Sequence, residues 1–243
     1  MAVKVPAATL AFWILKILTT GMGETASDWL ARTINPVLAV AGSGLVLAAL
    51  LVAQLVARRY HPWLYWGAVA MVSVFGTMAA DVLHVVLGVP YLASTCLFAA
   101  AVAALLLIWF RVDGTPSIHS ITTTRRELFC WATVAATFAL GTAAGDLAAT
   151  TLGLGYLASG VLFALAFTVP GLAHRFAGLN AVIAFWTAYV LTRPLGASLA
   201  DWIAVPPGRD GLDLGTGPIT LILIVAIIAG VAGLGLRDRC EAP

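Results

Sequence analysis

The chain has 243 residues, of which 61% are apolar and 10% charged, with a net charge of +2 and a mean hydropathy of +1.00. Soluble domains carry about 25% charged residues, so this composition excludes an ordinary soluble domain, and nothing in it forms a basic nucleic-acid-binding surface. It is the composition of an all-α integral membrane protein whose first partner is the lipid bilayer.

A spanning helix needs about twenty mostly apolar residues. Eight such segments are predicted, at about 7–31, 34–57, 62–87, 90–110, 127–152, 155–174, 179–204 and 216–236. Gly, Pro, Asn and Arg punctuate most of the joins, and no segment alternates with period two, which argues against a membrane barrel. The first segment is read as mature structure rather than a signal peptide because it lacks a small-residue cleavage site. Trp63, Tyr65 and Trp66 are expected to form an aromatic belt at one interface. The loop with His119 and the loop with Arg209, Asp210 and Asp213 are expected to be ordinary solvated connections. Cys96, Cys130 and Cys240 have no paired spacing and are expected to be buried free thiols.

Four of these segments share one phrase. Gly23 to Asp28 reads GETASD, Gly76 to Asp81 GTMAAD, Gly141 to Asp146 GTAAGD and Gly196 to Asp201 GASLAD. Residues 76–94 and 141–159 agree at ten of nineteen positions, down to a shared Tyr-Leu-Ala-Ser at Tyr91 and Tyr156 that is expected to anchor the next helix at the interface. The repetition predicts a single transmembrane domain over 1–243 built from four helical-hairpin repeats, at about 7–58, 62–111, 127–176 and 179–237.

Orientation follows from Lys and Arg in the loops. Lys4, Arg58, Arg59, Arg111, Arg125, Arg126, Arg175, Arg237 and Arg239 fall on one side, against Arg32 and Arg209 on the other. Both termini are therefore expected in the cytoplasm. The four motif helices then run in the same direction, and the repeats are parallel in a pseudo-symmetric bundle.

Residues four apart stack on one helix face. Counting back from each Asp gives Asp28, Glu24, Thr20 and Lys16; Asp81 and Thr77, with His84 just beyond; Asp146 and Thr142; Asp201 and Arg193. Intramembrane charge costs about 2.5–3.5 kcal/mol per group on insertion scales and usually faces a bundle interior or a wet cavity. Five acids here face two cations, Lys16 and Arg193, so the acids need pairing, protonation or a bound cation. Asp28, Asp81, Asp146, Asp201, Glu24 and His84 are the candidate metal ligands. Thr20, Thr77, Thr142, Lys16 and Arg193 are expected to line the same cavity. An oxygen-rich set with one nitrogen suits Mn²⁺, with Zn²⁺, Mg²⁺ and Ca²⁺ also compatible. Gly23, Gly76, Gly141 and Gly196 lie on another face and are expected to let helices approach closely. Pro194 makes a kink in the seventh helix plausible.

The resulting expectation is a transporter of divalent metal ions, coupled to protons, since no Gly-x4-Gly-Lys-Ser/Thr loop supports nucleotide-driven transport. A cation channel, and a structural or sensory protein whose Asp residues only cross-link helices, stay open as alternatives. An aspartyl protease needs two carboxylates rather than four equivalent ones, so no enzyme is expected. No organic cofactor is implied, and the oligomeric state is left open.

The phrases SVFGTMAADVLH, SIHSITTTRRELF, FALGTAAGDL and AFWTAYVLTRPLGASLADW resemble a family of bacterial multi-pass proteins labelled as uncharacterised membrane-anchored proteins. The resemblance runs from the first repeat through the seventh helix. It implies a location in the bacterial inner membrane and assigns no chemistry to individual residues.

Overall fold

The computed structural model describes residues 4–240, without the side chains of Val85 and residues 236–240. The loop charges Arg237 and Arg239 and the thiol of Cys240 therefore lie outside the described residues. The helices are α1 (Leu10–Thr33), α2 (Pro36–Val56), α3 (Pro62–Asp81), α4 (Tyr91–Asp113), α5 (Thr124–Asp146), α6 (Gly155–Ala177), α7 (Ala181–Ala204) and α8 (Thr216–Cys240).

Local chemistry sets most of these limits. The Asn35 and Asn180 side chains accept from the first free N–H groups of α2 and α7. Thr9 and Thr123 do the same for α1 and α5. Pro36 and Pro62 open their helices where no N–H partner is needed. Gly114, at φ 77°, ends α4 in the left-handed conformation that glycine adopts without a Cβ clash. Among the described residues, seven helices are long and apolar enough to cross a membrane. α1 has the length but carries Lys16, Glu24, Asp28 and Arg32. The chain fits a multi-pass membrane protein.

Two helix ends fall where expected but in a different helical form. The helix continues past Asp81 and past Asp146 as a π-helical turn, over Val82–Val86 and Leu147–Thr151. A π turn widens the backbone by one residue per turn and is often found at functional sites. α7 runs through Pro194 as one helix.

The odd helices form a closed inner ring in which α1 packs on α3, α3 on α5, α5 on α7 and α7 on α1. The even helices lie outside. α3, α5 and α7 bury half or more of their apolar windows, whereas α2, α4, α6 and α8 bury less than a quarter. Leu45, Leu97, Leu165 and Ile222 project outward from the even helices, a face suited to lipid. Each even helix packs mainly on the odd helix that follows it: α2 on α3, α4 on α5, α6 on α7, and α8 back on α1. The two helices within one repeat touch far less. The packing unit therefore straddles two sequence repeats.

One half of the bundle axis is aromatic. Phe12, Tyr65, Trp66, Trp131, Trp186 and Tyr189 are buried together, with Phe12–Trp66 and Tyr65–Trp66 ring centroids 5.6 and 5.4 Å apart. This corrects the expected belt. Tyr65 and Trp66 face the axis, and only Trp63 of the three is exposed. Cys130 is buried but Cys96 is exposed, on an outer helix.

Candidate functional site

The motif helices bring their stripes together in layers one helical turn apart. Asp28, Asp81, Asp146 and Asp201 form the top layer and border a single cavity. Four residues earlier stand Glu24, Thr77, Thr142 and Ala197, and four earlier again Thr20, Ser73, Phe138 and Arg193.

Arg193 closes the second layer. It is 1% exposed, and its guanidinium reaches the other three helices of the ring. Nη2 donates to Glu24 Oε2 at 2.6 Å and to Thr142 Oγ1 at 3.0 Å, and also to the Thr77 hydroxyl. Nη1 donates to the Thr20 carbonyl at 3.3 Å. A planar fork of donors suits this job better than an ammonium would. Below it, Lys16 lies over the faces of Phe138 and Tyr189, 4.1 and 4.3 Å from their centroids, an arrangement that stabilises a cation without a carboxylate. The aromatic half follows. At the far end Lys4 Nζ meets Glu127 Oε2 at 2.7 Å, and Gln54 Nε2 meets Oε1 at 3.4 Å.

The motif glycines make this convergence feasible. A Cβ on Gly23 would collide with Ser73, one on Gly76 would press on Phe138, one on Gly141 would strike Arg193, and one on Gly196 would strike Thr20. Each glycine thus seats the third-layer residue of the next helix around the ring, and the contact closes from α7 back to α1.

Above the Arg193 floor lies a cavity of about 370 Å³, open at the end away from the aromatic half. Asp28 pairs with Arg32 at 2.6 Å, and both are partly exposed. Glu24 is held by Arg193. Among the described residues, the carboxylates of Asp81, Asp146 and Asp201 have no ion pair or hydrogen bond to the protein, and Asp201 is only 7% exposed. One wall is apolar, from Ala39, Val40, Met78, Val82 and Val86, and Tyr91 and Tyr156 complete the rim. Arg209 comes in from the α7–α8 loop and donates to the Tyr156 hydroxyl at 2.7 Å.

Several expectations change here. Lys16, Arg193, Thr20, Thr77 and Thr142 do not line the cavity. They lie beneath it, because the guanidinium draws Glu24 and the hydroxyls inward and seals the axis. His84 is not with the acids either. The π turn after Asp81 carries it to the side, where Nδ1 meets the Val89 carbonyl at 2.9 Å, Nε2 meets Ser94 Oγ at 3.4 Å, and the ring lies tilted against Tyr91 with centroids 4.1 Å apart. Among the described residues, no three His, Cys, Asp or Glu side chains stand close enough to hold a metal ion. Arg209, expected in a plain solvated turn, belongs to the cavity, as do Tyr91 and Tyr156. A signal for the tyrosines was present in the sequence, since each follows its Asp by ten residues in the two most similar copies. His119 stays exposed in its loop.

A family model described as Repeat of Unknown Function (DUF347) matches four times, at residues 11–60, 64–115, 129–178 and 184–239. The chain belongs to this family. The DUF347 repeats take in all four Gly-x4-Asp phrases, so the cavity is assembled from one contribution of each repeat. Comparison with curated proteins and with solved structures gave no match.

Proposed function

We propose that this protein is a cation transporter of the bacterial inner membrane, and that the acid-lined cavity is its substrate site. The observation that carries the reading is the state of Asp81, Asp146 and Asp201. Among the described residues, three carboxylates without protein partners face one cavity, while Glu24 at its floor and Glu127 at the far end of the axis each have a cationic partner. Carboxylates left unpaired in low dielectric are stabilised by a proton or a bound cation, and a cavity open at one end lets either arrive.

The sealed axis favours a transporter over a channel. A channel needs a continuous wet path, and here Arg193, Lys16, Phe138 and the aromatic layer fill the axis below the cavity. Passage requires the Arg193–Glu24 floor to part. Protonation of the Asp layer as cation leaves, and deprotonation as it binds, couples transport to protons without nucleotide. With both termini in the cytoplasm, as the loop charges indicate, the four motif helices run parallel around a pseudo-fourfold axis and the cavity opens to the outside. A divalent ion such as Mn²⁺ would have to draw the separated carboxylates together.

The test is flux in proteoliposomes holding the full chain. Cation uptake should be accompanied by counter-movement of protons, and Asp201→Asn should abolish both while the protein still folds. Equal uptake by Asp201→Asn and the parent would reject the assignment.

A further inference from the structure

Resting on that reading, the walls of the cavity narrow the substrate class. We infer that the occupant is a small organic ammonium ion, a protonated amine on a short apolar or aromatic body, with Asp201 and Asp146 receiving the ammonium while Tyr91, Tyr156, Met78 and Val82 hold the body.

Four observations meet here. The cavity measures about 370 Å³, inside the range of roughly 300–1,000 Å³ that small organic ligands occupy and far more than a bare ion fills. Among the described residues, no three His, Cys, Asp or Glu side chains converge closely enough to bind a metal. Asp201 is more than nine-tenths buried, lines the cavity and has no protein partner among the described residues, so a charge-assisted hydrogen bond is available to whatever enters. The apolar wall stands on the side of α2 and the π turn, across the ring from α7, while Tyr156 stands beside α7 with Val205 and Trp202. A hydrated metal ion gains nothing from such a wall. An amine gains burial for its carbon body and, from the rings, a favourable face for its charge.

Arg32 and Arg209 at the rim fit the same picture. Each is engaged with a neighbour, Asp28 or the Tyr156 hydroxyl, and the Arg32 charge is balanced at the mouth by Asp28. The carboxylates left for an ammonium group lie deeper, at Asp146 and Asp201.

The experiment is thermal unfolding of the detergent-purified full chain, titrated with n-butylamine hydrochloride, 2-phenylethylamine hydrochloride, the uncharged isosteres n-butanol and 2-phenylethanol, and MnCl₂. A ligand that binds only the folded state raises the melting temperature with its concentration. Both amines should raise it, 2-phenylethylamine more, and the alcohols should not. Asp201→Asn should weaken amine binding by at least about tenfold, or 1.4 kcal/mol, with Asp146→Asn as the second variant should Asp201→Asn fail to fold. Tyr91→Ala should weaken the aryl amine more than the alkyl one.

A shift with MnCl₂ that Asp201→Asn removes, without any amine shift, overturns the amine assignment and leaves the cation reading standing. Amine shifts that are the same in both Asn variants, or are matched by the alcohols, mean partition into micelle or lipid and overturn it too. No shift with any of the charged probes removes both the amine assignment and the cation reading.

Discussion

Two layers of the same four helices, one turn apart, treat buried polar groups in opposite ways. In the Arg193 layer the charges are matched. One guanidinium meets one carboxylate, two hydroxyls and a carbonyl, and the four helices are tied to one point. In the Asp layer above, Asp28 pairs with Arg32, and the carboxylates of Asp81, Asp146 and Asp201 face open volume with no partner among the described residues. Paired charges fix a structure, whereas carboxylates that face a cavity without a protein partner are open to a proton or a cation. The contrast separates residues that make the bundle from residues that use it, although both sets sit on the same stripe of each helix.

The largest way to break this contrast is at the floor. Arg193→Met strands Glu24 without a partner, and removing one member of a buried ion pair costs about 3–5 kcal/mol. Chemical unfolding in detergent should show that loss, and the Arg193→Met, Glu24→Gln double variant should recover much of it. Next in size is Gly23→Val, whose Cβ meets the Ser73 backbone. Overpacking of this kind costs about 1–3 kcal/mol, and Gly233→Val on α8, where a Cβ meets open space, is the matched control expected to melt like the parent.

Asp81→Asn and Asp146→Asn should behave in the reverse sense. Taking one like charge from the layer leaves unfolding within about 0.5 kcal/mol of the parent or higher, while cation-dependent stabilisation and flux fall. Loss of stability comparable to Arg193→Met would erase the distinction between the layers. Smallest of all is Asp28→Asn. The Asp28–Arg32 pair is half exposed on its Arg side, and such pairs contribute about 0–1 kcal/mol, so its melting curve should barely move.

Much of the arrangement is legible in the amino-acid order. The apolar runs place eight helices to within a few residues, and the four-residue spacing back from Asp28, Asp81, Asp146 and Asp201 puts Glu24, Thr77 and Thr142 in one layer. What pairs within and between layers is not legible. Arg193 and Glu24 are 169 positions apart, and nothing local to either says that the cation will plug the axis rather than stand in the open site. The π turns after Asp81 and Asp146 have no breaker residue to announce them. VLHVV and LAATT read as ordinary helix, and the change of phase that carries His84 away from the acids comes from tertiary packing. Trp63, Tyr65 and Trp66 show the same limit, because neighbours in sequence point to lipid and to core according to helical phase alone. Tyr91, Tyr156 and Arg209 reach the cavity from interfacial segments whose destination depends on how the loops fold back.

The packing of α8 on α1 bears on how the protein comes to exist. As the ribosome delivers helices in order, α2 finds its main support when α3 arrives, α4 when α5 arrives and α6 when α7 arrives. α1 alone waits for both α7 and α8, its neighbours at the other end of the chain. Until α7 arrives the stripe bearing Lys16 and Glu24 lacks its partners Tyr189 and Arg193, and until α8 arrives the face bearing Leu15 and Thr25 is uncovered. The ring therefore closes only when the two ends of the chain meet.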